Sequence, residues 1–141
     1  MGLDQYANTV TKRGQELRKE MLTLPTNEER RAFAELHRIK DEVHEIAYWR
    51  KHADLNEWMT RLAVKKGVVK EERDFNCTDL VLTPEDIDAL ERDLQEDALP
   101  HGEGFFWGAS TPEDRVDDEN FIIEARKAFA DGKQVIYSCW W

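Results

Sequence analysis

Hydrophobic residues along this chain switch between two spacings, and the switches mark its elements. Leu3, Tyr6 and Val10 beside a glycine predict a short strand over residues 3–9. Leu17, Met21 and Leu22 take helical spacing in a charged stretch, predicting a helix over 11–23 that Gly14 weakens. After Pro25, Thr26 and Glu29 sit at the two positions of a capping box. Phe33, Leu36, Ile39, Val43, Ile46 and Ala47 then follow 3–4 spacing, and Leu55, Trp58, Met59, Leu62 and Ala63 repeat it. Neither Gly nor Pro interrupts the stretch before Gly67, which suits a helix C-terminus. The pattern therefore predicts helix over 27–66. One rod of that length would reach ~60 Å, against a radius of gyration near ~14 Å for a domain of this size. A break is expected in residues 37–42 or 51–54, or else the rod projects into a partner.

The remainder alternates strand and helix. Cys77 to Leu82 reads as a strand. Thr83-Pro84-Glu85-Asp86 opens a helix whose stripe is Ile87, Leu90 and Leu94. Gly104-Phe105-Phe106-Trp107-Gly108 reads as a short aromatic strand. Thr111-Pro112-Glu113-Asp114 opens a second helix with Phe121, Ile122, Ala125, Ala128 and Phe129 inside and Gly132 beyond it. Residues 134–140 close the pattern as a strand apolar on both faces, which marks a central strand. Together these elements predict a single α+β domain, with a small three- to four-stranded, largely antiparallel sheet covered by helices. Candidate strands are 3–9, 78–82, 104–107 and 134–140.

With 141 residues the chain is long enough for one core. No apolar run approaches the ~20 residues of a membrane-spanning helix, and residues 1–14 lack the apolar segment of a signal peptide, so a cytoplasmic location is expected. The charge adds a more specific constraint. The net charge is −10, and it is uneven: residues 1–70 hold 14 basic and 11 acidic side chains, residues 71–141 hold 6 and 19. Such a field repels phosphate backbones and favours basic protein surfaces, which argues against a nucleic-acid partner even though the aromatic strands resemble stacking platforms. Cys77 and Cys139 are the two cysteines; in a cytosolic chain they are expected as reduced thiols buried in strands.

Candidate chemistry concentrates in Tyr48-Trp49-Arg50-Lys51-His52, followed by Asn56. On a helix Trp49, His52 and Asn56 share one face, while Arg50 and Lys51 supply the cations an anion needs. Phe106 and Trp107 of the aromatic strand would face that surface, and Trp141 is a further candidate contact. The bland alternative is that Trp49 packs and the cations are solvated. His37, His44 and His52 would cluster on a straight helix with Asp41 and Glu45 nearby, but one helix seldom supplies three ligands, so no metal site is assigned. GxSxG, P-loop and GxGxxG patterns are missing; no catalytic residue and no cofactor follow from the sequence.

Several segments resemble a group of small proteins encoded by tailed phages, cyanophages among them. These are the Met1-Gly2-Leu3-Asp4-Gln5-Tyr6 start, Glu45 to His52 with Trp58-Met59, and Phe75-Asn76-Cys77. Leu99-Pro100 before Gly104 to Gly108 and the ending Tyr137-Ser138-Cys139-Trp140-Trp141 belong with them. The similarity spans most of the chain, with residues 12–41 standing out as a helical extension or insertion. It implies a virus-encoded protein in the cytoplasm of a bacterial host and carries no activity. The expected function is therefore that of an accessory protein that binds a host macromolecule. The alternative is a nucleotide- or anion-binding protein or small enzyme using Trp49, Arg50, His52 and Asn56. A homodimer through helix 27–50 is expected from the apolar stripe on that segment.

Overall fold

The computed structural model describes residues 2–103 and 108–141. Four strands form one antiparallel sheet: β1 (Asp4–Val10), β2 (Val43–Arg50), β3 (Leu80–Leu82) and β4 (Gln134–Trp140), in the order β2-β1-β4-β3. Five α-helices accompany them: α1 (Lys12–Leu22), α2 (Asn27–Leu36), α3 (Ala53–Lys65), α4 (Pro84–Gln95) and α5 (Pro112–Ala130). The α+β class and the antiparallel sheet agree with the sequence reading. The expected strand at 104–107 lies outside the described residues.

Residues 27–66 are the main correction. The chain breaks at both expected places, but the piece between the breaks is strand β2 rather than helix. The first break is a left-handed Arg38 followed by a 3-10 turn at Ile39–Glu42, and the second is a left-handed Lys51. Helix 27–50 therefore does not exist as a dimerisation element. A third of it is a sheet strand, and on α2 the stripe residue Leu36 is 78% exposed.

Alternation along the strands gives the sheet two unlike faces. On the first, Gln5 stands between Trp49 and Cys139, and Ala7 between Ala47 and Tyr137. On β3, Leu80 continues the Ala7 row and Leu82, opposite Val135, starts the next one. Helices α3, α4 and α5 cover this face with Leu55, Met59, Ile87, Leu90, Phe121 and Ala125, all buried. Trp49 packs edge-on to Phe121 with ring centroids 5.2 Å apart, and Phe75 stacks on Tyr137 at 6.1 Å. α4 and α5 start as their sequences require. Thr83 and Asp86 form a full capping box, and Asp114 accepts the Thr111 N–H at 2.7 Å.

The second face is covered only toward one end. There α1 leaves β1 and Gly14 rides directly on Val10: a Cβ at Gly14 would stand 2.8 Å from Val10 Cγ1 and from Glu42 Cβ. Gln15 holds the Val10 carbonyl, and Arg18 reaches Asp79 just before β3 at 3.1 Å. Toward the other end the face remains open.

Candidate functional site

Helical periodicity groups Trp49, His52 and Asn56 on one face, whereas the observed strand distributes the same region differently. Tyr48 and Arg50 point to the open face, while Trp49 between them points into the core. His52 and Asn56 follow Trp49 to the buried side, His52 in the turn before α3 and Asn56 within it. Lys51, at φ +59, donates its N–H to the Leu3 carbonyl and leaves its side chain exposed. Phe106 and Trp107 lie outside the described residues. Trp141 is half-buried, and its backbone exchanges two hydrogen bonds with Asn76, so it belongs to the packing of the chain end. His37 lies in the turn after α2, His44 in β2 and His52 in the turn before α3, so the three do not share one straight helix.

Two surfaces emerge. The first is the open part of the sheet's second face. Arg50, Asp4 and Trp140 form one row across β2, β1 and β4, and Tyr48, Tyr6 and Ser138 form the next. Tyr48, Trp140 and Val81 are 45%, 54% and 42% exposed. The Tyr6 and Tyr48 rings lie 5.2 Å apart, and the Tyr48 hydroxyl donates to Asp4 at 2.7 Å. That bond to a carboxylate, with a smaller contribution from burial, raises the Tyr48 pKa above the usual phenol value. The segment carrying exposed Glu71, Glu72 and Asp74 is tied to the end of β4 through Cys77 N–H on the Cys139 carbonyl.

The second surface is a cavity of about 230 Å3 at the opposite side of the sheet, lined by His52, Asp54, Asp97, Ser110, Arg115 and Asp118 among others. His52 is its hub. His52 Nδ1 lies 2.7 Å from Ser110 Oγ, and Nε2 lies 2.8 Å from Asp118 Oδ2. An ionised Asp118 only accepts, so Nε2 carries the proton and Nδ1 is free to accept from the serine hydroxyl. Ser110 Oγ in turn accepts the Asp54 N–H at 3.0 Å, and Asp114 Oδ2 stands 3.6 Å from Nδ1. Gly102 docks against the first turn of α3, where a Cβ would meet the Ala53 carbonyl at 2.0 Å, and its N–H binds Asp54 at 2.9 Å.

Behind the hub runs a buried polar chain. The His52 backbone N–H binds Gln5 Oε1, Gln5 Nε2 donates to Tyr137 Oη, and Tyr137 donates to Asn56 Oδ1, each at 2.8–2.9 Å. Burial raises the Asp118 pKa, while His52 and the Trp49 indole pull it down and Asp114 pushes it up. Neither Trp49 Nε1 nor Asp118 Oδ1 reaches hydrogen-bond geometry, so the indole acts on the carboxylate at longer range. A larger groove of about 670 Å3 between α3 and α4 has mixed charge from Arg61, Lys65, Glu85 and Asp93 and no nucleophile.

Gln5, Ser110, Asp118 and Tyr137 were not singled out from sequence. Asp118 did carry a signal, since it stands three and four residues before Phe121 and Ile122 on the buried stripe of α5. Cys139 is buried, and burial pushes its thiol up to about 12; Cys77, expected in a strand, is instead exposed and outside one. No described helix is long and apolar enough to cross a membrane. No protein-family model, no curated protein and no solved structure matches the chain.

Proposed function

We propose that the protein is a phage-encoded accessory factor that docks on a basic host protein through the open part of its sheet. The observation that carries this reading is the contiguous exposure of Tyr48 and Trp140 beside Tyr6 and Arg50. Tyr, Trp and Arg are the residues enriched at protein interfaces, and a flat sheet face lets them make contact without rearrangement. The occupant is basic by charge complementarity. The chain carries −10 overall and an excess of 13 acids over residues 71–141. The same field opposes nucleic acid, whose phosphates need cations; in the open rows Arg50 is paired across the sheet with the acid Asp4. A host-cytoplasmic location follows from the resemblance to tailed-phage proteins.

The test compares the wild-type chain with Trp140→Ala/Tyr48→Ala, each immobilised and exposed to nuclease-treated lysate of a bacterial host at moderate salt. One basic protein retained by the wild type, and lost from the variant, supports the reading. Identical retention by both, or retention of nucleic acid alone in untreated lysate, overturns it.

A further inference from the structure

We propose that Ser110, His52 and Asp118 form an activated-serine site that cleaves small carboxylic esters of neutral or positive charge. His52 lies 58 and 66 residues from Ser110 and Asp118, and together they supply a nucleophile, a base and a group that orients the base. Ser110 Oγ is 2.7 Å from His52 Nδ1, and His52 Nε2 is 2.8 Å from Asp118. This is the geometric signature of an activated hydroxyl, whichever imidazole nitrogen faces the serine. The array lines a cavity, so the hydroxyl has room beside it for a reacting carbon.

A purely structural account explains less. Ser110 Oγ accepting the Asp54 N–H is sufficient to tie the loop to α3. It does not require a buried imidazole next to it. Nor does it require Asp118, almost fully buried with Oδ1 left without a hydrogen bond. Burying a carboxylate this deeply is costly. That cost is intelligible where the carboxylate must stabilise an imidazolium formed during reaction.

In the first half-reaction Ser110 Oγ bonds to the ester carbonyl carbon, and its proton passes to His52 Nδ1. The carbon–oxygen bond to the alcohol breaks, and the departing oxygen takes that proton from Nδ1. Water then attacks the acyl-serine, giving a proton to Nδ1 that returns to Ser110 Oγ as the carboxylic acid leaves. Asp118 stays ionised at Nε2 throughout and is a positioning residue. The cavity selects the substrate. Asp54, Asp97 and Asp118 outnumber Arg115, which itself pairs with Asp97 at 2.9 Å, so anionic esters are disfavoured. Its volume is below the ~300–1,000 Å3 of sites for drug-sized ligands, which limits the acyl and alcohol groups to short ones.

The test is covalent and reads chemistry rather than folding. Native wild-type chain is treated with an alkyl fluorophosphonate and analysed by intact mass and peptide mapping. One adduct on Ser110 is expected, lost when the chain is denatured first. Asp118→Asn, checked by circular dichroism, should slow labelling by at least about 100-fold, because it upsets the tautomer of the base. In hydrolysis assays, 4-nitrophenyl acetate and a trimethylammonium-bearing acyl ester should exceed a succinyl monoester by about 10-fold or more. No Ser110 adduct on folded wild type under excess reagent overturns the proposal, whatever the variants do. Labelling that folded Asp118→Asn leaves unchanged overturns the role of the array, and preference for the succinyl ester overturns the substrate class.

Discussion

Tyr48 and Trp49 are neighbours in sequence and live in different solvents. Trp49 packs on Phe121 and Tyr137, beside a buried carboxylate and a chain of hydrogen bonds. Tyr48, one residue earlier and on the other side of β2, is 45% exposed. Cys139 and Trp140 repeat the contrast on β4, the first buried and the second 54% exposed. A buried polar group on the covered side is costly without a partner, and there Gln5, Tyr137 and Asn56 supply one another. The open side carries no such obligation, so its aromatic residues contribute little to folding and stay available for contact. One sheet can thus hold a fixed polar site on one face and an interaction surface on the other.

The largest effect that would sharpen this contrast comes from deleting the two tryptophans. Trp49→Ala should cost about 3–5 kcal/mol of unfolding free energy, as for large aromatic residues removed from a core. Trp140→Ala should stay within about 0.5 kcal/mol. Denaturant titrations with unchanged slopes measure both. Comparable losses in the two variants would mean that the open face is also part of the core, and the division would fail.

A middle-sized effect probes the polar chain on the covered side. Tyr137→Phe keeps the ring stacked on Phe75 and removes the hydroxyl that receives Gln5 and donates to Asn56. Asn56 Oδ1 then lacks a donor in a dry site, where a loss of about 1–3 kcal/mol is expected. The same substitution at Tyr6 on the open side should be close to neutral. Equal melting temperatures for Tyr137→Phe and the wild type would show that water, not the network, satisfies these groups.

Why the sequence concealed half of this picture can be traced to single residues. Strand β2 hides as a helix because its register with β1 shifts after Ala7: Ala7 faces Ala47, whereas Asn8 faces Glu45. Ile46 is the extra residue of a bulge, so Val43, Ile46 and Trp49 recur at intervals of three rather than two. The turns that bound β2 use left-handed Arg38 and Lys51, with no Gly or Pro to mark them. Helices α4 and α5 were legible because Thr, Pro and acids announce their starts and their stripes are regular. Strand β4 was legible as a central strand for the same local reason, since Val135, Tyr137 and Cys139 do share the core face. The His52 array was not legible. Ser110 belongs to the loop before a cap, and Asp118 is one of several acids in a row; only the packing of α5 onto the sheet brings both to His52.

The cysteines provide a smaller test of the two environments. At pH 8 a water-soluble maleimide should modify Cys77 and spare Cys139 until denaturant is added, since the buried thiol is held protonated by desolvation. The sign of the linked stability follows. A thiol whose folded pKa lies near 12 stabilises the fold below its ordinary value near 9, and that contribution is lost as pH rises from there through about 12. Cys139→Ala should therefore show a flatter fall in stability across this alkaline window than the wild type. Rapid modification of both thiols in the native chain would contradict the burial of the covered face at β4.

The smallest effect belongs to the hydroxyl of Tyr48, which ties β2 to Asp4 of β1 on the open face. Tyr48→Phe removes its bond to Asp4 at 2.7 Å while leaving the ring beside Tyr6. Because the group is largely in water, replacement by solvent should hold the stability change within about 0.5 kcal/mol. The pH response is more informative than the midpoint. Asp4 raises the Tyr48 pKa above the usual phenol value, so the bond stabilises the folded chain at neutral pH and is lost as pH climbs through that raised value. Wild type and Tyr48→Phe should then converge in stability above pH ~10. If capture of a basic partner survives Tyr48→Phe but not Trp140→Ala, the aromatic surface and not this hydroxyl is what the partner reads. If the hydroxyl alone decides capture, the open face acts as a hydrogen-bonding site, and its contrast with the polar chain on the covered side disappears.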